Sequence, residues 1–259
     1  IESRIKRLGL RIRPGVDVEV TNIDDDPRFN EYWQLYHQIM QRRGVTPDAA
    51  KALVRSRSTV IAALMVRRGE ADALLCGLVG RYQKKAKHVL DILGSDQGEE
   101  KVAALSAVLN DKGVFFFTDT HMQFDPTAEQ IAESALQSAY RLRLFGVEPK
   151  VALISHSNFG SSDNPSAQKM RDALKKIRIR APKLEVEGEM HVDAALNEDV
   201  RNRLFPNSRL KGSANLLVFP NLDTANTAYN LVRSMTDGVG LGPILMGPSH
   251  SAHVLTASA

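Results

Sequence analysis

The chain has one cysteine in 259 residues, Cys76, so no disulfide framework can form and a reducing compartment, the cytoplasm, is the expected home. No stretch approaches the roughly 18 uninterrupted apolar residues of a membrane span. The opening Ile1-Glu-Ser-Arg-Ile-Lys-Arg7 also lacks the apolar heart of a signal peptide. Neither a membrane nor export is expected. Excess charge of one sign is scarce too: 34 Lys and Arg against 30 Asp and Glu leave +4, and the basic residues are spread along the chain rather than gathered in a tract. Nucleic acid is therefore not an expected partner. There is no starting Met, and a charged opening that runs straight into structure reads as the cut end of a larger protein.

What is present is 43% hydrophobic residues, enough for a substantial core. Short apolar runs of strand length alternate with amphipathic stretches of helix length, which predicts an α/β fold with a parallel sheet and crossover helices. Strands are expected at 16–21, 73–79, 114–118, 150–155, 184–189 and 215–219. Several are continuously apolar, as strands covered on both faces require. Thr46-Pro47-Asp48 and Asp125-Pro126-Thr127 each offer a cap oxygen followed by proline at the first helical position. Phe29, Trp33, Tyr36 and Met40 recur at spacings of three and four, an aromatic stripe for core packing. Gly146 after Arg141–Phe145 reads as a helix C-cap and as the best place for a domain boundary.

The richest segment runs from Val151 to Lys169: an apolar strand, a loop holding Ser155, Ser157, Asn158, Gly160 and Ser161, then a helix with Pro165 in its first turn. Unpaired N–H groups at a helix start beyond a strand's carboxyl end predict an anion site. An ordinary turn with capping serines fits the same residues equally well. One glycine and no Gly-Lys-Ser/Thr exclude the nucleoside-triphosphate and dinucleotide fingerprints. His88, His121, His191, His250 and His253 never pair at a ligand spacing with carboxylates or a second cysteine, so no metal site is expected. Asp119 with His121 is either an acid/base pair or, more commonly, a carboxylate capping its loop. Ser155 and Ser157 lack a nucleophile elbow.

Several segments, in order along nearly the whole chain, resemble the phosphate acetyl- and butyryltransferase family. They are Gly69-Glu-Ala-Asp-Ala-Leu-Leu-Cys-Gly77, Thr118-Asp-Thr120, Asp125-Pro-Thr-Ala-Glu-Gln-Ile-Ala132, Phe145-Gly-Val-Glu-Pro-Lys-Val-Ala-Leu153, Ala214-Asn-Leu-Leu-Val-Phe-Pro-Asn-Leu222 and Gly242-Pro-Ile-Leu-Met-Gly247. The resemblance implies two α/β subdomains with mainly parallel sheets, in an isocitrate/isopropylmalate dehydrogenase-like architecture with a cleft between them. The first would comprise 1–146 plus 243–259, and the second 147–242. It also implies acetyl transfer between coenzyme A and phosphate, using a serine–arginine pair near the C-terminus.

Here Thr256 and Ala257 replace that pair, and alanine supplies no charge-assisted bond to an anionic transition state. Where the family has His-Thr-Thr and then Arg-Pro, this chain has Gly80-Arg81-Tyr82 and Lys87-His88; lysine keeps the charge without arginine's bidentate fork. These departures are similar to the C-terminal domain of large bacterial NADP-dependent malic enzymes. By that resemblance, the chain is a non-catalytic regulatory and oligomerisation module with acetyl-CoA, or a related acyl-CoA, as effector. It would form a homodimer or higher homo-oligomer through the Gly212–Asn226 region. NADP and a divalent metal, Mg or Mn, would serve a separate module converting malate to pyruvate and CO2. The ligand residues expected are Ser155, Ser157, Asn158, Gly160, Ser161, Lys169 and Asn226, with Arg81, Lys84 and Lys87 across the cleft. Two alternatives stand beside this reading: a working phosphate acetyltransferase, and a purely structural dimerisation domain.

Overall fold

Five of the six expected apolar runs form strands in the structure, a computed structural model that describes residues 2–22, 25–95, 98 and 101–256. Helices α1 (Glu2–Arg7), α2 (Phe29–Met40), α3 (Pro47–Ser56) and α4 (Ser58–Arg67) precede strand β1 (Ala73–Gly77) and α5 (Tyr82–Leu93). The hairpin β2 (Ala103–Asn110) and β3 (Gly113–Thr118) leads to α6 (Ala128–Leu144), β4 (Lys150–Ile154), α7 (Pro165–Arg180) and β5 (Glu185–Met190). Then come α8 (Val192–Leu196), α9 (Glu198–Leu204), β6 (Leu216–Val218), α10 (Leu222–Met235), β7 (Val239–Met246) and β8 (Ser251–Leu255). No helix among the described residues is long and apolar enough to cross a membrane.

One sheet has six strands in the order β5-β4-β6-β3-β2-β7, and β1 pairs with β8 in a second, two-stranded sheet. The pairs β1/β8, β3/β6, β4/β5 and β4/β6 are parallel, whereas β2 runs antiparallel to both neighbours. Helix α7 is the crossover from β4 to β5, and the chain then returns to place β6 on the other side of β4. Such a reversal leaves a crevice beyond the strands' carboxyl ends, where ligands of open α/β sheets settle.

The expected boundary at Gly146 is not where the sheets divide. Gly146, with φ of 75°, ends α6, but β2 and β3 before it and β4, β5 and β6 after it belong to one sheet. A helix C-cap marks the end of an element, not of a layer. One core gathers residues from Tyr32 to Val102 with Leu245, Ala252 and Val254. The other two lie on opposite faces of the large sheet: Ile131, Leu142, Met170 and Ile177 on the α6/α7 side, and Phe117, Ala194, Phe219 and Tyr229 on the α8/α10 side.

The aromatic stripe of α2 packs as expected: Tyr36 and Met40 are buried together with Tyr32. Phe29 and Trp33 sit at the margin, covered by Arg55 and Lys51 at 4.6 and 4.7 Å from their ring centres. Thr46 caps α3 with Pro47 behind it, but α6 starts two residues later than expected, at Thr127, through a capping box with Gln130. Residues 16–21 form no strand. A lone bridge joins Pro14 to Val18, and Val16, Val18 and Val20 are exposed, so an alternating pattern without a pairing edge stays irregular.

Candidate functional site

Strands β1 and β8 end side by side, in register from Ala73/Ser251 to Gly77/Leu255. Gly77 has φ of 126°, and a Cβ there would lie 2.6 Å from the amide nitrogen of Leu255, so only glycine lets the two backbones meet. The Leu78 amide donates to the Leu255 carbonyl, and Gly80, at φ of 90°, turns the chain into α5 with Arg81 at its N-cap. Thr256 follows directly on β8; Ala257 lies outside the described residues.

Along α5, positions 81, 84, 85 and 88 recur at spacings that keep them on one face. Arg81, Lys84, Lys85 and His88 accordingly line one cavity of about 370 Å³, closed by Arg57, Thr59, Val79 and Gly80. Lys85 Nζ donates to Thr59 Oγ1 at 3.3 Å. Among the described residues, the side chains of Arg57, Arg81 and Lys84 have no carboxylate or hydrogen-bond partner. Burial holds the His88 imidazole below the usual histidine range, and the charges of Lys84, Arg57 and Lys87 push the same way, against Asp91.

Lys87 is not in this cavity. Its ammonium lies 3.1 Å from Asp91 Oδ1, the same oxygen that Arg43 approaches to 2.6 Å. Residue 87 points well away from the 81/84/85/88 face, so Lys85 and Arg57 complete the cationic set where Lys87 was expected. Helical spacing carries the Lys85 signal; Arg57, 28 residues upstream of it, gives none in sequence.

Arg81 also lines a second cavity of about 430 Å³, with Tyr82, Gln83, Thr120, His121, Leu222, Asp223, Asn226 and Thr227. Asn226 is therefore on the same groove as Arg81, and its amide donates to the Thr120 carbonyl at 3.2 Å. The His121 ring packs against Tyr82 in a tilted arrangement, ring centres 4.8 Å apart, and its Nδ1 is 2.8 Å from Thr120 Oγ1. Burial pushes His121 down to about 4, so it is uncharged near neutrality. Asp119 makes no acid/base pair with it. One Asp119 oxygen accepts from the amides of Ala104, His121 and Met122, and the other from Gln123, so this carboxylate caps its loop. Burial pushes Asp119 up to about 6 even against those four donors. A larger gap of about 950 Å³ has Glu2 and Glu19 as the charged groups among its described lining residues and shares none of those residues with either cavity.

The serine loop after β4 is filled from within. Buried Glu189, on β5, accepts at one oxygen from the Ser157 hydroxyl (2.7 Å), the Gly160 amide (2.9 Å) and the Arg171 guanidinium (2.8 Å). Ser157 and Gly160, expected to receive an external anion, thus hold a carboxylate of their own chain. Ser161 Oγ accepts from the Asn158 amide, Asn158 Oδ1 from the His191 amide, and Ser155 Oγ from the Ser157 amide. Asn164, not a serine, caps α7. Lys169 pairs with Asp125 at 2.6 Å. Nothing in the sequence signals Glu189, nearly 30 residues further on. Among the described residues, no group of three or more His, Cys, Asp or Glu side chains converges as a metal site would.

The family model for phosphate acetyl/butaryl transferase matches residues 1–259. The chain belongs to this family. It is 52% identical over 257 residues to an NADP-dependent malic enzyme of Escherichia coli, and 51% identical over 258 residues to an NAD-dependent malic enzyme of Rhizobium meliloti. It covers 34% of the length of each. A phosphate acetyltransferase of Paracoccus denitrificans is 35% identical over 238 residues, 89% of this chain and 74% of that protein. Among solved structures, the EutD phosphotransacetylase of Staphylococcus aureus superposes with a TM-score of 0.84 at 25% identity, over 100% of this chain and 78% of that one. A phosphotransacetylase of Streptococcus pyogenes gives 0.87 at 24% identity, over 98% and 76%.

Proposed function

We propose that this chain is a regulatory and oligomerisation module of a decarboxylating malic enzyme, that it binds acetyl-CoA in the groove at the start of α5, and that it does not transfer acyl groups. The observation that carries this reading is the cavity walled by Arg57, Arg81 and Lys84, three cations without partners among the described residues. Uncompensated positive charge in a concave site is costly until an anion fills it. The phosphates of a coenzyme A ester suit it, and Asn226, which lines the adjoining cavity with Arg81, supports a site there for the remainder of the ligand.

The missing serine–arginine pair, with Thr256 and Ala257 in its place, argues against turnover. High identity to malic enzymes over a third of their length supports a parent that oxidises malate to pyruvate and CO2 with NADP and Mg or Mn in another module. Acetyl-CoA acts there by binding the parent's conformational states unequally. Assembly as a homo-oligomer involves the Gly212–Asn226 region.

Calorimetric titration of acetyl-CoA into this chain, with an assay for acetyl phosphate on the same sample, tests the reading. Binding without acetyl phosphate is expected. Turnover would replace the sensor with an acyltransferase, and no binding would leave assembly as the role.

A further inference from the structure

Resting on the reading that the α5 groove holds an acyl-CoA, we infer that its two cavities receive opposite ends of the ligand: the phosphorylated nucleotide beside Lys84, and beside Asn226 an acyl group that carries no carboxylate. The contrast in charge carries the assignment. The smaller cavity collects Arg57, Arg81, Lys84 and Lys85 with no acidic residue among the described residues of its wall. Four positive charges in one concavity attract the most highly charged part of any ligand. Among its described residues the larger cavity has one carboxylate, Asp223, to set against the shared Arg81. The other described residues of its wall are uncharged near neutrality, since burial keeps the His121 ring neutral.

Asn226, Thr120 and Gln83 offer amide and hydroxyl groups suited to a thioester and to the amides of a pantetheine arm. A carboxylate on the acyl group would face Asp223, and Arg81, between the cavities, would be engaged by the nucleotide phosphates. Desolvating a second anion beside Asp223 is unfavourable without a cation to receive it. The groove therefore sets the direction of the ligand and discriminates acetyl from dicarboxylic acyl groups.

Calorimetry with acetyl-CoA, succinyl-CoA and adenosine 3′,5′-bisphosphate, on the unaltered chain and on Lys84→Ala and Asp223→Asn, tests this. Succinyl-CoA should bind at least about tenfold more weakly than acetyl-CoA, and Asp223→Asn should narrow the gap to about threefold. Lys84→Ala should weaken the bisphosphate and both esters alike, whereas Asp223→Asn should leave the bisphosphate unchanged. Both residues are exposed on helices, and circular dichroism checks that each variant is folded. Equal binding of the two esters, or a bisphosphate indifferent to Lys84, would overturn the inference and leave the acyl-CoA reading standing. Failure of both esters to bind would overturn the two together.

Discussion

Arg171 reaches Glu189 at 2.8 Å, from the second turn of α7 to the end of β5, and closes the loop after β4 over a carboxylate that is 1% exposed. The same guanidinium nitrogen donates to the Ser162 carbonyl at 2.9 Å, so one side chain ties helix, loop and strand together.

Removing the cation should therefore cost more than an exposed ion pair is worth. Arg171→Ala leaves Glu189 with only Ser157 and Gly160 as donors, and we expect a loss of about 2 to 4 kcal/mol. Glu189→Gln keeps an acceptor for the same three donors and should cost about half as much. Urea unfolding measures both, and the double variant should lose less than the two single losses combined. Strict additivity would mean that the pair is not coupled.

Asp119 and His121 predict opposite dependences on pH in one window. Asp119 is raised to about 6 in the folded chain, against about 4 for an unfolded aspartate. Its contribution is full below the unfolded value and is lost as pH rises through about 6. His121 is lowered to about 4, against about 6.5 when unfolded, so its contribution is full above 6.5 and is lost as pH falls through the window. The two slopes oppose each other between pH 4 and 6.5. His121→Gln should make stability fall more steeply with rising pH there than in the parent chain. Asp119→Asn should do the reverse. Urea midpoints at pH 4.5, 5.5 and 6.5 read the sign, and parallel curves for all three proteins would refute both assignments.

Lys84 and Lys87 separate the cationic cavity from mere proximity to it. Lys84→Ala should weaken acetyl-CoA binding about fivefold, the worth of one partly exposed charge contact with phosphate. Lys87→Ala should leave affinity unchanged and alter stability by less than about 0.5 kcal/mol, because its ion pair with Asp91 is exposed on the lysine side and Arg43 still holds Asp91. Equal losses of affinity would put both lysines on the ligand.

Gly77→Ala tests the join between β1 and β8. The added Cβ would overlap the Leu255 backbone at a φ that L-residues rarely adopt, so a loss of about 2 to 4 kcal/mol is expected. Thermal unfolding reads it, and a neutral result would mean that the two strands have room to part.

Much of this architecture is legible in the sequence. Continuous apolar runs mark β1, β3, β4 and β6, and a three-and-four stripe marks α2, because burial on two faces or on one leaves different periods. The strands that escape notice carry the wrong local signals. β2 begins with two alanines and has a third at Ala107, which suits a helix equally well, and β7 holds Gly240, Gly242 and Pro243, residues that normally break a strand. In the site, the cations of α5 are legible and their common face follows from helical spacing. Arg57 and Asp223 arrive from other elements, and Glu189 reaches the serine loop from a neighbouring strand, so tertiary packing alone brings them in.

A phosphate approaching the loop after β4 meets a competitor that cannot diffuse away. Glu189 is joined to that loop by its own chain, and a tethered group acts at an effective concentration of about millimolar or above. The Ser157 hydroxyl and Gly160 amide are thus engaged by a carboxylate of their own chain, whereas Arg57, Arg81 and Lys84 at the head of α5 have no such tethered partner among the described residues.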